Sequence, residues 1–258
     1  PMLGNIIVEI LKIKEKDMKI ISAKDAAELI KSGDSVGFSG FLDIASPLEI
    51  LNELTKTQAK DLTLCSVVLS YPLKDDQSLD KLFENKQISK FIGSHTGTSK
   101  IAAKEYLNNE IEVDYIPMGT LAECLWAGGS GLGGVITPTG IGTDQEKDHE
   151  KITRNGKEYL IYDPIKLDIA LIKASKADKF GNIVCRGTTK SISRELALAS
   201  DLVIVEVEEI VETGNLDPSD IWVTGNLVDY VVEGKTHNEQ KKYYKDLWKS
   251  TDQLRSES

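Results

Sequence analysis

The chain has 258 residues, of which 40% are apolar and 28% are charged, with a formal net charge of −10. This length and composition predict an ordinary globular protein with one large domain or two small ones, and they exclude a disordered chain. The acidic balance argues against non-specific nucleic-acid binding, because phosphates repel it, but it permits an anionic ligand in a local pocket of backbone amides.

Residues 1–17 precede a methionine that could be the translation start. Met18 begins the segment Met-Lys-Ile-Ile, which resembles an ordinary protein N-terminus. We hypothesise that residues 1–17 are a mis-assigned upstream start or an expression remnant, and a genuine N-terminal arm is the alternative. No signal-peptide pattern occurs, and no apolar run approaches the ~20 residues that cross a bilayer. We therefore expect a cytoplasmic protein that contacts no membrane.

Strands and helices alternate along the first half of the chain. Ser22 caps a predicted helix that ends before Gly33, and Pro47 opens another that runs through Leu54. The run 62–69 is mostly apolar, which is typical of a strand buried on both faces. Further strands are predicted at 35–39, 91–93 and 113–116, and further helices at 100–108 and 120–126.

The second half repeats this alternation, with strands predicted at 169–174 and 202–207 and a helix at 194–200. Between the halves, residues 145–162 are highly charged and turn at Asn155-Gly156, a strong hairpin signal. The pattern predicts an α/β fold, with a mostly parallel sheet, helices on both faces and a small inserted hairpin.

We assign residues 18–234 to this domain and residues 235–258 to a polar tail. In the tail, Tyr244, Leu247 and Trp248 fall at helical spacing. This spacing predicts an amphipathic helix that docks on the protein's own body or, alternatively, on a partner.

The densest glycine cluster contains Gly128, Gly129, Gly131, Gly133 and Gly134. Glycines this close allow backbone N–H groups to approach a ligand. The cluster formally contains G-x-G-x-x-G, but a dinucleotide fingerprint needs a strand before it and a helix after it. Here a predicted helix precedes it, so we reject that fingerprint. A ligand loop and a flexible structural loop are the two interpretations left open.

A second candidate ligand site is the segment Ser39-Gly40-Phe41-Leu42-Asp43-Ile44-Ala45. It connects a predicted strand to the predicted helix that begins at Pro47. Sheets of α/β proteins hold ligands at such positions, and N–H groups there favour anions. A tight packing turn is the alternative.

Other polar groups give weaker signals. His95, close to Gly97, is either a substrate hydrogen-bonder or a structural side chain. The three cysteines and three histidines are too scattered to predict a disulfide or a metal site. Glu206, Glu208 and Glu209 are predicted to form a solvated rim, with a catalytic dyad as the alternative. The residues alone therefore indicate glycine-rich ligand loops and no self-sufficient nucleophile.

Several stretches together resemble the alpha subunits of family I 3-oxoacid CoA-transferases, of the acetate/butyrate–acetoacetate type. The resemblance runs from about Met18 to Gly234. The stretches that carry it are Gly40-Phe41 with Pro47, Ile92 to Thr98, Pro117 to Glu123, Ala127 to Gly134, Thr137 to Thr143, Asp168 to Ala174, Asp178 to Asn182 and Val205 to Gly214.

The resemblance implies ping-pong transfer of CoA between a short-chain acyl-CoA and a small carboxylate such as acetate, butyrate or acetoacetate. It also implies that the attacking glutamate lies in a Ser-Glu-Asn-Gly-type motif of a CoA-transferase beta subunit, because this chain has no such motif. We therefore expect an incomplete enzyme that works as a heterodimer or an α2β2 heterotetramer. Coenzyme A would be a substrate, and no permanently bound cofactor or metal is expected.

The same resemblance suggests roles for individual residues. The turn from Ser39 to Ala45 would contact CoA. The residues that would support the reaction are Met118, Gly119 and Thr120. The residues that would line the substrate cleft are His95, Gly97, Glu123, Gly128, Gly129, Gly131, Gly133 and Gly134.

Two departures from the family pattern bear on these roles. Asp43 brings a negative charge towards anionic CoA. Met118 replaces a Gln of some relatives, whose amide can donate a hydrogen bond to an oxyanion, whereas Met cannot donate one. Either a backbone N–H or a partner side chain would then supply that donor, or the thioester carbonyl would be placed differently.

Other functions fit the same pattern. A glutaconate-type CoA-transferase subunit would be favoured by an arginine-lined pocket for a second carboxyl group, and an acyl-CoA hydrolase by hydrolysis without an acceptor. A sugar-phosphate isomerase-like or ligand-binding protein is a different class on the same scaffold, because fold does not fix function. A stable lone homodimer would favour that class.

Overall fold

A computed structural model describes residues 19–70 and 78–250 of the chain. The strands are β1 (Lys19–Ile20), β2 (Ser35–Phe38), β3 (Leu62–Cys65), β4 (Ile88–Gly93), β5 (Glu112–Tyr115), β6 (Val135–Thr137), β7 (Glu150–Arg154), β8 (Lys157–Tyr162), β9 (Leu167–Asp178), β10 (Ile183–Val184), β11 (Ser200–Val211), β12 (Ile221–Val223) and β13 (Tyr230–Glu233). The α-helices are α1 (Ala23–Glu28), α2 (Leu48–Leu54), α3 (Asp80–Glu84), α4 (Lys100–Leu107), α5 (Met118–Ser130), α6 (Ser193–Ala199) and α7 (His237–Ser250).

The large sheet has the strand order β1-β13-β11-β9-β2-β3-β4-β5, and all neighbours along this path are parallel. The short strands β10 and β12 attach antiparallel beyond the end of β9. Parallel strands need helical crossovers, which cover both faces and bury the sheet. The predicted α/β class with a mostly parallel sheet is therefore confirmed.

Two apolar cores lie on opposite faces of this sheet. One core packs α1, α2, α3 and α4 against the sheet and also receives Tyr243 and Tyr244 of α7. The other packs α5 and α6 against the opposite face. The described part of the tail, residues 235–250, therefore docks on the protein's own body, as one of the two interpretations predicted. Residues 1–17 and 251–258 lie outside the described residues.

The inserted hairpin is confirmed and enlarged. Strands β7 and β8 pair antiparallel on either side of Asn155 (φ 51°) and Gly156 (φ 73°). Two successive positive φ angles are the backbone of a type I′ turn, which Asn-Gly favours. Strand β6 joins β8 on its other side, so the insertion is a separate three-stranded sheet.

The predicted ends of four elements are wrong by four residues each. The strand predicted over 62–69 ends at Cys65, which is the last residue that pairs with β2. Strands β9 and β11 are each 12 residues long, about twice the predicted length. Charged residues interrupt the apolar pattern of both strands, so the apolar runs alone predicted only part of each strand. Helix α5 continues to Ser130, so Gly128 and Gly129 are helical and not part of a loop.

No helix in the described part of the chain combines the length and apolar character that spanning a bilayer requires.

Candidate functional site

The strand order reverses between β2 and β9. From β2 the chain proceeds outward through β3, β4 and β5, whereas β9, β11 and β13 extend the sheet in the other direction. Ligands of open α/β sheets bind at the carboxyl ends of the strands beside such a reversal. The turn from Ser39 to Ala45 follows β2 directly and therefore occupies this position.

This turn holds an unusual backbone. Phe41 and Ile44 exchange two backbone hydrogen bonds, at 2.9 and 3.0 Å. Between and after them, Leu42 (φ 55°), Asp43 (φ 61°) and Ala45 (φ 60°) are left-handed. Non-glycine residues in that region cost of order 1 kcal/mol each and persist only where the surroundings impose them. Strain of this kind concentrates at ligand sites, which favours the ligand interpretation of the turn over simple packing.

Gly40 is required here by space as well as by conformation. Its φ is 109°, and a Cβ would lie 2.4 Å from Ser46 Oγ. The Ser46 hydroxyl in turn donates to Ser39 O at 3.1 Å. These contacts close the two ends of the turn onto each other.

A buried ion pair lies beneath the turn. Lys173 on β9 and Glu206 on β11 are each 1% exposed, and Lys173 Nζ lies 2.9 Å from Glu206 Oε1. The other Glu206 oxygen accepts from the N–H groups of Glu49 (2.9 Å) and Ile50 (3.1 Å) in the first turn of α2. The backbone N–H of Lys173 donates to Ser39 Oγ at 2.8 Å. The pair therefore fixes both the turn and the helix that follows it.

The predicted solvated rim is consequently wrong for Glu206. Its carboxylate compensates the free N–H groups of a helix N-terminus, which favour negative charge. Sequence reasoning missed Lys173 and Glu206 as a pair. The available signal was that each charge interrupts an apolar run on a central strand, where a charge needs a buried partner.

The amino terminus of α5 lies at the same edge of the sheet, after β5. Met118 is 44% exposed, a Cβ on Gly119 would meet nothing within 4 Å, and Thr120 is buried. No side chain caps this helix start. The N–H groups of a helix's first turn have no intrahelical acceptor and are available to an incoming oxygen. The site can therefore donate hydrogen bonds without a donor side chain at position 118.

His95 and Gly97 lie in the loop after β4, also at the carboxyl edge. The Gly97 N–H donates to His95 Nδ1 at 3.2 Å, and both residues are exposed. Glu123 is exposed one turn further along α5 than Gly119. The parallel topology thus places the turn, His95, Gly97 and the α5 start along one edge, with β2 and β5 about 14 Å apart.

The glycine cluster, Gly128 to Gly134, does not lie at this edge of the sheet. Helix α5 separates Met118 from Gly131 by about 20 Å along its axis. A Cβ on Gly128 would lie 1.9 Å from Ile165 O, and one on Gly129 would lie 2.5 Å from Leu198 Cβ. Close packing therefore explains both glycines, contrary to the predicted approach to a ligand. Gly131 (φ 70°) ends the helix in a left-handed C-cap, and Gly133 and Gly134 follow it at this distant end.

The cysteines offer no nucleophile. All three are buried and free. Burial raises the pKa of Cys65 to about 12, that of Cys124 to about 11 and that of Cys185 to about 12. A thiol with so high a pKa carries almost no thiolate at neutral pH. Among residues 19–70 and 78–250, no three His, Cys, Asp or Glu side chains cluster as metal ligands would.

A family model described as coenzyme A transferase matches residues 20–234. The chain is 40% identical over 215 residues to the acetoacetyl-CoA:acetate/butyrate CoA transferase alpha subunit of Clostridium acetobutylicum, across 83% of this chain and 97% of that protein. It is 39% identical over 219 residues to one subunit of the probable succinyl-CoA:3-ketoacid coenzyme A transferase of Bacillus subtilis, across 85% of this chain and 91% of that protein.

Solved structures share the fold. The crystal structure of an acyl-CoA transferase from E. coli O157:H7, in a thioester complex with CoA, matches with a TM-score of 0.76 at 22% identity. The match covers 85% of this chain and 48% of that one, so this chain spans about half the length of that transferase.

Proposed function

This chain belongs to the coenzyme A transferase family, and from that premise we propose that it is the alpha subunit of a heteromeric enzyme. The enzyme would move CoA between a short-chain acyl-CoA and a small carboxylate such as acetate, butyrate or acetoacetate. One observation carries the proposal. The chain aligns with 97% of a relative named an alpha subunit, but with only 48% of the E. coli transferase.

The site geometry supports a second polypeptide. Glu206, at the carboxyl edge beside the turn, is neutralised by Lys173 and two N–H groups, so it is not free to attack a thioester. The family resemblance implies that the attacking glutamate lies in the beta subunit, and the occupied carboxylate of Glu206 agrees with that assignment. The opening beside Met118 and Gly119 is exposed, as a surface completed by another chain would be.

The proposed reaction has two half-reactions. The partner's carboxylate oxygen attacks the thioester carbonyl, and the C–S bond breaks to give an acyl–glutamyl anhydride and the CoA thiolate. The thiolate then attacks the glutamyl carbonyl, releases the first carboxylate and leaves an enzyme–CoA thioester. A second carboxylate reverses these steps and leaves as the new acyl-CoA. Each step conserves charge and needs no external oxidant or proton source.

This chain would stabilise the tetrahedral intermediate. The backbone N–H groups of Gly119 and Thr120 at the α5 start are the proposed donors to the developing oxyanion. One such donor contributes roughly 3–4 kcal/mol of transition-state stabilisation. The thioether of Met118 supplies an apolar contact and no hydrogen bond.

The test is reconstitution. The chain is co-expressed with its beta subunit, and transfer of CoA from acetyl-CoA to butyrate is followed by mass spectrometry. We expect transfer by the complex, no transfer by either chain alone, and a CoA adduct on the partner chain during turnover. Full activity of the isolated chain, or a CoA adduct on this chain, would refute the shared site.

A further inference from the structure

This acidic chain gathers four cations around one cavity. Most lysines along the sheet pair with carboxylates, as Lys176 does with Glu209 at 2.7 Å. In the part of the chain that the structure describes, Arg186, Lys190 and Arg194 form no such salt bridge. With Lys176 they line a cavity of about 770 Å³, which we call the cationic crevice (Lys176, Arg186, Lys190 and Arg194).

An indole holds two of these cations in place. Lys190 Nζ lies 4.7 Å and Arg194 Cζ 4.1 Å from the centroid of the Trp222 ring, and Arg194 Nε donates to Trp222 O at 3.1 Å. Cation–π contacts orient a charge without neutralising it. Asp217 and Asp220 also line the cavity, and Lys176 is already paired with Glu209, so three cations without a salt bridge among the described residues face two carboxylates and the crevice keeps a positive balance.

The crevice adjoins the strained turn. Arg186 also lines a second cavity, of about 340 Å³, together with Ile44 and Ala45 of the turn. The hydroxyl of Ser191, which directly follows Lys190 in the chain, donates to Gly40 O at 3.4 Å. Strand β10 runs back along β9, so the residues after it return to the level at which β2 ends. The cations therefore sit at the topological reversal, beside the turn predicted to contact CoA.

The negative charge of Asp43 does not oppose this arrangement. Its Oδ1 accepts from the Leu79 N–H at 3.4 Å, on the side of α3. The cavity between Arg186 and the turn is lined by one carboxylate, Glu208, and by the cations of Arg186 and Lys241, so an anion that enters from that side meets a net positive charge. Guanidinium groups suit phosphate because two N–H groups can bind two of its oxygens, and lysine adds a mobile point charge.

We propose that the cationic crevice binds the phosphate groups of coenzyme A and directs its pantetheine arm along the carboxyl edge towards Met118. This inference rests on the proposed function and adds the residues that recognise the nucleotide end of the substrate. Those residues were not among the sequence-predicted site residues. The path from β2 to β5 crosses three strand spacings, about 14 Å, which an extended arm must span.

The test uses the reconstituted complex with two acyl donors, acetyl-CoA and acetyl-pantetheine, which lacks the phosphates. Arg186→Ala and Lys190→Ala are each expected to lower kcat/KM for acetyl-CoA about 10- to 100-fold, mainly through KM, because a charged hydrogen bond is lost. The value for acetyl-pantetheine should not change. Lys166→Ala, at an exposed lysine before β9, is the control and should change neither value.

Three outcomes would overturn the inference while the wild-type complex remains active. The first is an unchanged kcat/KM for both donors in the two variants. The second is an equal loss of kcat/KM for both donors, which indicates a structural role. The third is a change in kcat/KM for succinate but not for acetate as the acceptor, which would assign the arginines to a dicarboxylate. A wild-type complex that transfers no CoA would instead refute the proposed function itself.

Discussion

A buried charge is tolerated only where neighbouring groups replace the water that it loses. Glu206 has three such groups, the Lys173 ammonium and two N–H groups of α2. Removing one partner of a buried pair leaves the other charge uncompensated, which typically costs 3–5 kcal/mol. Because the same carboxylate fixes α2 behind the strained turn, its loss affects both stability and the site.

We therefore expect Glu206→Ala to lower the free energy of unfolding by about 3–5 kcal/mol in urea denaturation. The matched control is Glu209→Ala, three residues further along the same strand. Its pair with Lys176 is 2.7 Å long but half exposed, so we expect a loss below about 1 kcal/mol. Equal losses for the two variants would contradict the assigned role of Glu206.

Asp80 is a second residue whose charge opposes its surroundings. Burial raises the pKa of its carboxyl to about 6, although hydrogen bonds from Ser99 and Ser70 lower it. One of its oxygens has no hydrogen-bond partner. Between about pH 4 and pH 6, the Asp80 carboxyl is therefore protonated in the folded protein but ionised in the unfolded chain. This difference lowers the free energy of unfolding as the pH rises from about 4 to about 6, so the contribution of Asp80 to stability is greatest below about pH 4.

Asp80→Asn should remove this pH dependence. At about pH 7.5 the variant is expected to gain up to ~3 kcal/mol over the wild type, whereas near pH 4 the difference should vanish or reverse. Urea unfolding at the two pH values measures it. Asp201→Asn, at an exposed carboxylate, is the control. A stability difference that is independent of pH would show that the Asp80 charge is not the cause.

Among the secondary-structure elements, α5 illustrates how the same residue type serves two purposes. Gly119 at its start opens the surface, whereas Gly128 in its last turn allows contact with Ile165. Gly128 and Gly129 face backbone atoms of Ile165 and Leu198, which cannot move aside cheaply, whereas Gly119 faces open space. Gly119 therefore belongs to the proposed site at one end of the helix, whereas Gly128 and Gly129 permit close packing at the other.

Gly128→Ala should destabilise the protein by about 1–3 kcal/mol in thermal or urea unfolding, because a methyl group would be forced against a carbonyl oxygen. Gly133→Ala, where a Cβ meets nothing within 4 Å, should stay within about 0.5 kcal/mol. Lost activity with unchanged stability in Gly128→Ala would instead restore this glycine to a ligand site.

Helix α7 lies beyond the residues 20–234 that match the family, yet it contacts the turn. The Tyr244 hydroxyl donates to Asp43 O at 2.9 Å, at a left-handed residue. The tail is therefore placed to hold the turn in its strained conformation.

Tyr244→Phe keeps the ring and removes this hydrogen bond, worth about 1 kcal/mol. We expect kcat/KM for acyl-CoA to fall about fivefold in the reconstituted complex, mainly through KM. Tyr159→Phe, on the hairpin, is the control variant. Unchanged kinetics in Tyr244→Phe would limit α7 to packing.

At the scale of the whole enzyme, the proposed site beside exposed Met118 is completed by the beta subunit, which predicts a fixed ratio of the two chains. Titration of this chain with its beta subunit should raise CoA-transfer activity until the two chains are equimolar, with no further increase. The mass of the saturated complex, measured by light scattering, distinguishes αβ from α2β2. Activity that keeps rising well beyond equimolar amounts would contradict a site built from one chain of each kind.

Local patterns in the sequence were enough to predict the class of fold and the position of the turn. Apolar runs and helical segments alternate along the chain, and a parallel sheet follows from their order. Asn155-Gly156 predicted a hairpin for the same reason, because the two residues alone supply the positive φ angles. The family resemblance likewise rests on contiguous motifs, and the match to the coenzyme A transferase family confirmed it.

Which residues meet became known only from the three-dimensional arrangement. The pairing of Lys173 with Glu206 joins two strands 33 positions apart, and the cationic crevice gathers side chains from β9, the loop after β10 and α6. The glycine cluster shows the reverse. It adjoins Met118 in sequence but lies at the far end of α5, because a helix carries its two ends apart by about 1.5 Å per residue. Spacing along the chain cannot reveal distance in space once helices and crossovers intervene.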